Sequence, residues 1–186
     1  MSDRSDGPEA EKWHVPWPEG IESSSWSPER AELAMAFIGA VRKTGSLFHL
    51  MSQAAADKIG VNTTDLNCMN ILSFGGQMTA GELARATGLT TASITGVVDR
   101  LEQAGFVRRE RDAVDRRRVV IHLDAKRVAS TVIPVFAPMM RSWQQVAERY
   151  TDDELRLIVD YYDQIEQIIR AYLTTLRDQA QSADPT

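Results

Sequence analysis

Residues 79–123 constrain the fold most strongly, because two helix-start signals, two glycine stops and two β-prone segments fall within one short stretch. Thr79 and Glu82 have the spacing of a capping box, in which the hydroxyl accepts a hydrogen bond from the third helical amide and the carboxylate reaches back. The helix that they open is expected to end at Gly88, which can take the left-handed position after a helix C-terminus. The stretch therefore begins with a short helix.

A second helix is predicted between Thr90, a good N-cap residue, and Gly105, a good stop. Its apolar residues recur at i, i+3, i+4 and i+7 and form one stripe: Ile94, Val97, Val98 and Leu101. The other side carries small, hydroxylated or charged residues: Ala92, Ser93, Thr95, Gly96, Asp99 and Arg100. Such a face can approach base edges and phosphates closely.

Two β-prone segments, 106–111 and 119–123, follow and enclose a loop that contains Asp115-Arg116-Arg117-Arg118. Two short strands around a basic loop fit a wing beside the helix pair. We predict a mainly α protein with a small β-wing, in which a winged helix-turn-helix domain is flanked by N- and C-terminal dimerisation helices. The expected partner is double-stranded DNA. The alternative for the loop is a surface hairpin whose arginines are only solvated.

The same stretch resembles the MarR family of bacterial transcription regulators. The resemblance rests on MTAGELARATGLTTASITGVVDRLEQAGFV, on a following R-x₆-DRR and on a strand that ends at Leu123, and it extends more loosely over residues 28–177. It implies a DNA-recognition helix in which Ser93 and Thr95 match the family's serine and threonine. It also implies that Arg117 of an Asp-x-Arg motif enters the minor groove, held by Asp115.

Two positions depart from the family pattern. Gly96 stands where the family often has a basic residue, and Leu123-Asp124-Ala125-Lys126-Arg127 replaces the usual Leu-Thr-x-x-Gly. From the exposed helix face and the resemblance together, the candidate DNA contacts are Thr91, Ser93, Thr95, Arg100, Asp115, Arg116 and Arg117.

The distribution of charge agrees with DNA binding, although the net charge of −5 alone argues against it. Residues 76–127 hold 10 Lys and Arg against 7 Asp and Glu, a net charge of +3, which leaves −8 for the rest of the chain. A basic module on acidic helices suits a protein whose affinity for DNA comes from phosphate contacts. We expect binding that depends strongly on salt.

Other classes of protein are disfavoured. No apolar run approaches the roughly 18 residues of a membrane span, and no signal-peptide pattern is present, so a cytoplasmic location is expected. The lone Cys68 excludes an intrachain disulfide and is expected to be a buried structural residue. The sequence has no phosphate-binding glycine loop and no Cys/His metal spacing, and its three histidines are scattered. We therefore expect no catalytic residue, no cofactor and no metal.

Helices are also predicted before the winged domain. Ser27 and Pro28 can act as N-cap and first residue of a long helix that Gly60 stops. A short helix from Thr63 to about Ser73 then leads into the winged domain.

After the wing, residues 125–149 are helical in composition, but Pro134 and Pro138 predict a bend. Thr151 and Glu154 form a second capping box. They open a final helix with a long apolar stripe: Leu155, Ile158, Val159, Tyr162, Ile165, Ile169, Tyr172, Leu173 and Leu176.

This stripe covers more turns than packing on a single neighbouring helix requires, which favours a homodimer over an intramolecular bundle. A dimer also doubles the DNA site that a single winged helix can read. The predicted organisation is a partly disordered N-terminal arm at 1–27, dimerisation helices at 28–62 and 124–178, the winged domain at 63–123 and a disordered tail at 179–186.

The family resemblance further implies a small phenolic or other aromatic effector that binds between the DNA-binding lobe and the dimerisation helices and lowers affinity for DNA. Candidate pocket residues are Phe48, Met51, Met69 and Trp143, with His49 as a polar anchor. The alternative for each of them is an ordinary core position.

The N-terminal arm contains three of the four tryptophans, Trp13, Trp17 and Trp26, and is expected to pack across the dimer or over the effector region. The combined prediction is a sequence-specific transcription regulator that acts as a ligand-released repressor of a pseudo-palindromic operator. The alternative is a winged-helix module that binds protein and has lost specific DNA contact.

Overall fold

The computed structural model describes residues 26–182, and side chains up to residue 179. Within this range the chain divides into two compact units, with the boundary after Asp124. Trp13 and Trp17 of the predicted N-terminal arm lie outside the described residues, as does the end of the predicted tail. Trp26 is described: its ring lies under the Arg30 guanidinium, 5.8 Å from the ring centroid.

The first unit contains four helices. Helix α1 (Pro28–Ile59) begins at the N-cap Ser27 and ends at Gly60, which has a φ of 84°. Its successor α2 spans Thr63–Gly75. Both helix starts and the Gly60 stop agree with the sequence prediction, and α2 extends two residues further than expected.

The helix-turn-helix pair follows the predicted signals closely. Helix α3 (Ala80–Thr87) carries the Thr79–Glu82 capping box with both reciprocal bonds formed, and Gly88 takes the left-handed conformation after it. Helix α4 (Thr91–Gln103) begins at the N-cap Thr90, whose hydroxyl accepts from the Ser93 amide. These caps satisfy helix-terminal amides that would otherwise lack a partner.

Strands β2 (Val107–Arg111) and β3 (Val119–Leu123) form the predicted antiparallel hairpin. A two-residue strand β1 (Met78–Thr79) was not predicted; it pairs with β3 and completes a sheet of order β1-β3-β2. Because β1 ends at the α3 N-cap, pairing on β3 connects the start of the helix pair to the wing. A two-residue strand has no periodicity that a sequence pattern can detect.

The core of the first unit lies between these helices and the sheet. Every residue of the predicted α4 stripe is buried, together with Leu66, Leu83, Phe106 and Ile121. Asp65 is the one buried charged residue among those described. From α1 only the last turns contribute to this core, through Ala55, Ala56 and Ile59.

The second unit consists of α5 (Ala125–Thr131), α6 (Ile133–Ala147) and α7 (Asp152–Ser182). The predicted bend is a break between α5 and α6, where Pro134 stands in the first turn of α6, while Pro138 lies inside that helix. The Thr151–Glu154 capping box forms as predicted. No residue of α5 or α6 is buried, and among the described residues of α7 many apolar side chains are exposed. No helix in the described range has the length and apolar character needed to span a membrane.

Candidate nucleic-acid interface

The outward face of α4 carries the hydroxyl residues that the sequence singles out. Thr91, Ser93 and Thr95 are all exposed. The Ser93 hydroxyl lies 2.8 Å from the Thr90 hydroxyl, and the Thr95 hydroxyl donates to the carbonyl oxygen of Thr91 at 3.0 Å. Because its proton is used within the helix, Thr95 presents acceptor lone pairs and a methyl group to an incoming partner. Those groups match the amino groups of adenine or cytosine and the methyl group of thymine.

Arg100, a predicted DNA contact, lies on the exposed side of α4 as expected and is also paired with Asp65, which the sequence did not predict. Its guanidinium donates two hydrogen bonds to the buried Asp65 carboxylate, from Nε to Oδ2 at 3.1 Å and from Nη2 to Oδ1 at 2.6 Å. This ion pair with Asp65 raises the pKa of Arg100. Asp65 lies 35 residues earlier in the sequence. Helix periodicity can place Arg100 on the exposed face, but it gives no sign of so distant a partner.

The wing loop is organised by two aspartates. Asp112 Oδ1 accepts from the amides of Val114 and Asp115 at 2.7 and 3.1 Å, and these two bonds hold the pKa of Asp112 below its usual value. Asp115 Oδ1 accepts from the backbone amide of Arg117 at 3.0 Å. Asp115 therefore holds Arg117 through its backbone amide, in an Asx turn, and no ion pair joins the two side chains in the described structure. That Arg117 enters the minor groove stays a prediction.

Several arginines near the wing are tied to carboxylates. Arg118 pairs with Glu82 of the α3 capping box at 2.7 Å, and Arg108 pairs with Glu110 at 2.6 Å. Arg109 binds Asp99 and Glu102 of α4 and so joins the helix to β2. By contrast, four exposed arginines of the winged domain (63–123) make no ion pair with the described residues: Arg85, Arg111, Arg116 and Arg117.

This pairing refines the local charge count. Of the 10 basic residues in the basic module, those bound to carboxylates add little net field, whereas the loop arginines stay available to a polyanion. Arg116 and Arg117 lie in the loop at the tip of the β2–β3 hairpin, and the Arg109 pairs with Asp99 and Glu102 join β2 of that hairpin to α4. The sequence did not identify Asp65, Asp112 or Glu82 as parts of this interface, because their roles depend on distant partners or on loop geometry.

The candidate effector residues are not brought together in one unit. Phe48 and His49 are exposed on α1, whereas Met69 is 3% exposed in the core of the first unit. Trp143 belongs to the second unit and is about half exposed. An open groove on α1 is lined by Arg42, Gly45, Ser46, His49 and Leu50. It includes His49 but none of the other four candidates.

Cys68 is fully buried in α2, as expected for a structural thiol. Burial, with a smaller contribution from the nearby Asp65 carboxylate, raises the pKa of this thiol to about 11. A thiol in this state is a poor nucleophile at neutral pH, since the thiolate is the reactive species.

Comparison with known proteins assigns this framework to a family. The MarR family model matches residues 61–119, the segment that holds α2, the helix pair and most of the wing. An HTH-type transcriptional regulator of Bacillus subtilis (strain 168), YcgE, which is itself uncharacterised, is 42% identical over 149 residues; the match covers 80% of this chain and 96% of the relative. The chain belongs to the MarR family. It is therefore a transcriptional regulator and not an enzyme.

Solved structures support the same fold. A MarR family protein from Bacillus stearothermophilus is 22% identical, with a TM-score of 0.56, over 77% of this chain and 99% of that chain. A MarR family transcriptional regulator from Silicibacter pomeroyi DSS is 19% identical, with a TM-score of 0.57, over 82% and 97% of the respective chains. The predicted fold class, mainly α with a small β-wing, is confirmed.

Proposed function

We propose that this MarR-family regulator binds a pseudo-palindromic operator as a homodimer and represses transcription until a small aromatic effector releases it. The observation that carries the DNA-binding part is the exposed hydroxyl face of α4 beside a wing whose Arg116 and Arg117 are unpaired. In this arrangement Thr91, Ser93 and Thr95 enter the major groove and touch base edges or phosphates. Arg117 reaches the adjacent minor groove from the preorganised wing loop.

The exposed apolar surface of the second unit supports the dimer. The predicted α7 stripe is joined by Leu157, Tyr161 and Ile168, which are 69%, 37% and 63% exposed. At about 100° per residue these three lie next to the predicted stripe, so apolar side chains cover more than half of the helix circumference. A face this wide exceeds what one neighbouring helix can bury, and a large exposed apolar patch marks an interaction surface.

A dimer also suits the DNA. Two-fold pairing places two recognition helices in successive major grooves about one helical turn apart, so the half-sites are separated by about 10 base pairs. One winged helix alone contacts too few base pairs to be selective, and doubling the site raises specificity accordingly.

The effector part rests on the family resemblance, and the residues proposed for the pocket remain Phe48, His49, Met51, Met69 and Trp143. A ligand that prefers a conformation of the dimer unable to bind DNA lowers the affinity for DNA. The size of the effect is set by the difference between the ligand's affinities for the two conformations.

The test is selection of bound duplexes from a random pool, followed by titration of the winning duplex at two salt concentrations. We expect a two-fold symmetric motif with half-sites one turn apart and a steep salt dependence. The matched control is the same duplex with one half-site scrambled, which should bind much more weakly. Selection with Thr95→Ala should recover a different base at the positions facing α4.

Recovery of no motif would contradict the operator model and would favour a winged-helix module that binds a protein. The same titration in the presence of a panel of aromatic acids tests the effector. We expect at least one acid to weaken binding, and no release by any of them would remove the effector from the proposal.

A further inference from the structure

We propose that the ion pair between Asp65 and Arg100, called the strut below, sets the position of α4 on α2. It thereby sets the orientation of the α4 face that carries Thr91, Ser93 and Thr95. Asp65 is then a positioning residue for DNA recognition, and Arg100 acts through Asp65 rather than on DNA. The inference rests on the proposed DNA-binding function, and it assigns to α2 a role in recognition.

The geometry of the strut is bidentate and directional. Two different guanidinium nitrogens of Arg100 bind the two different oxygens of Asp65, at 3.1 and 2.6 Å. A fork of this kind fixes both distance and orientation, unlike a single contact to a point charge. The third nitrogen, Nη1, lies back along α4, 3.7 Å from the position that a Cβ atom at residue 96 would occupy.

Asp65 is itself fixed from the opposite side. The Asn62 side-chain amide donates to Asp65 Oδ2 at 3.0 Å, and the Asp65 backbone amide donates to Asn62 Oδ1 at 2.8 Å. Since Asn62 is the N-cap of α2, the carboxylate is held against the first turn of that helix. The strut therefore runs from a helix start on α2 to the exposed edge of α4.

Burial commits Arg100 to this partner. The Asp65 side chain is 4% exposed, whereas that of Arg100 is 51% exposed. Turning Arg100 toward a phosphate would leave a buried carboxylate without its cation, which is much more costly than the loss of an exposed pair. A DNA contact through Nε or Nη2 of Arg100 would therefore compete with the bond to the buried carboxylate.

The apolar stripe of α4 cannot set the aim of the helix alone. Ile94, Val97, Val98 and Leu101 bury the inner face, but apolar contacts have no preferred direction and tolerate small rotations. The strut restrains the orientation of α4 relative to α2. The pairs of Arg109 with Asp99 and Glu102 restrain it relative to β2. A misplacement of about 1 Å at Thr95 is enough to break a base-edge hydrogen bond.

The test compares Asp65→Asn and Arg100→Gln on the selected duplex over a series of salt concentrations. We expect each variant to weaken binding at least tenfold with an unchanged salt slope, and the double variant to be no weaker than the weaker single variant. Arg100→Lys, which keeps the charge but can make only part of the fork, should fall between wild type and Arg100→Gln. The matched control is Arg108→Gln, which removes the exposed ion pair between Arg108 and Glu110 on β2. It should leave the affinity for DNA nearly unchanged.

A direct phosphate contact by Arg100 predicts the opposite pattern. Asp65→Asn would then free the guanidinium and tighten binding, and Arg100→Gln would lower the salt slope by about 1. Either result would overturn the strut.

A second readout does not depend on DNA. Hydrogen exchange of the α4 amides in free protein should accelerate in Asp65→Asn and Arg100→Gln, while the α7 amides stay unchanged. Unchanged exchange in α4, or faster exchange with full DNA affinity, would contradict the inference. If wild type selects no duplex, the proposed function fails, while the exchange result still decides whether the strut holds α4.

Discussion

The two units of this regulator use the same local signals to start helices but bury their side chains very differently. Thr79–Glu82 in the first unit and Thr151–Glu154 in the second form capping boxes with nearly equal bond lengths. Yet the described buried apolar residues all lie between Ala55 and Ile121, and none lies in the second unit. Local capping therefore specifies where a helix begins, while the presence of packing partners decides whether its apolar face is covered.

The contrast indicates that the winged domain buries most of its apolar side chains by itself, whereas α6, α7 and most of α1 leave theirs exposed. Helices in folded proteins draw most of their stability from tertiary packing rather than from intrinsic propensity. A dimer supplies such packing. The comparison can be broken or sharpened by six measurements, in order of decreasing effect on stability or binding.

The largest effect is expected from Phe106→Ala in the core of the winged unit. Phe106 is 1% exposed, and truncation of a buried phenylalanine costs about 3–5 kcal/mol. Chemical denaturation should show this loss in the unfolding free energy. The exposed Phe74, which is 92% exposed, is the matched control, and Phe74→Ala should change stability by less than about 0.5 kcal/mol.

The next effect is expected from Ile169→Asp on α7. If this face is the dimer interface, each copy buries a charge without a partner, and dimerisation should weaken at least a hundredfold, about 2.7 kcal/mol. Gln167→Asp places the same charge on the polar face of α7 and should leave dimerisation intact. Sedimentation equilibrium measures both, and an unchanged dimer for Ile169→Asp would move the interface elsewhere.

Arg117→Ala tests the role of the wing in DNA binding without changing any buried residue. Loss of an unpaired wing arginine should weaken DNA binding by about 1–3 kcal/mol and flatten the salt slope. Arg118→Ala removes an arginine of the same loop that is already bound to Glu82, so it should flatten the slope less. Fluorescence titration distinguishes them, and an equal, unchanged slope for both would contradict the wing model.

The two capping boxes give the most direct comparison of the units. Thr79→Ala should lower the unfolding free energy of the winged unit by about 1 kcal/mol. Thr151→Ala should cost a similar amount only where α7 is held by a partner, and otherwise should only fray its first turn. Hydrogen exchange at both helix starts measures the difference, and equal global losses for the two variants would contradict the contrast.

Both capping glutamates also predict an acid response. Bonds from the Thr79 and Thr151 amides lower the pKa of Glu82 and Glu154 below the usual value of 4.5. Because the folded pKa is the lower one, the caps contribute fully above pH 4.5 and are lost as pH falls through the folded pKa. Fraying at both starts should therefore begin below pH 4.5.

The smallest effect on DNA binding is expected from oxidation or alkylation at Cys68. Its pKa of about 11 against a usual value of 9.0 leaves about a hundredfold less thiolate at pH 8, so alkylation in the folded protein should be slower by at least that factor. Peroxide should leave DNA binding unchanged. A peroxide-induced loss that is absent in Cys68→Ser would contradict the structural role.

The helix starts, the two wing strands and the α4 stripe could be predicted from sequence, because each depends on residues within a few positions of one another. Predictions failed or were incomplete where partners were distant. Strand β1 is too short for a pattern, and Arg100 meets Asp65 across 35 positions. The predicted link between Asp115 and Arg117 is formed through the Arg117 backbone amide, a detail that residue type alone does not give.

By itself the sequence determined the elements of the winged domain and the family, since caps, periodicity and β-propensity act over short range. Only the tertiary structure decided which exposed-looking charges are available to DNA. Arg100, Arg109 and Arg118 are bound to carboxylates brought close by folding, and Arg116 and Arg117 are not. Ion pairing is a matter of distance in space, and at these positions that distance is set by the packing of α2, α4 and the sheet rather than by separation along the chain.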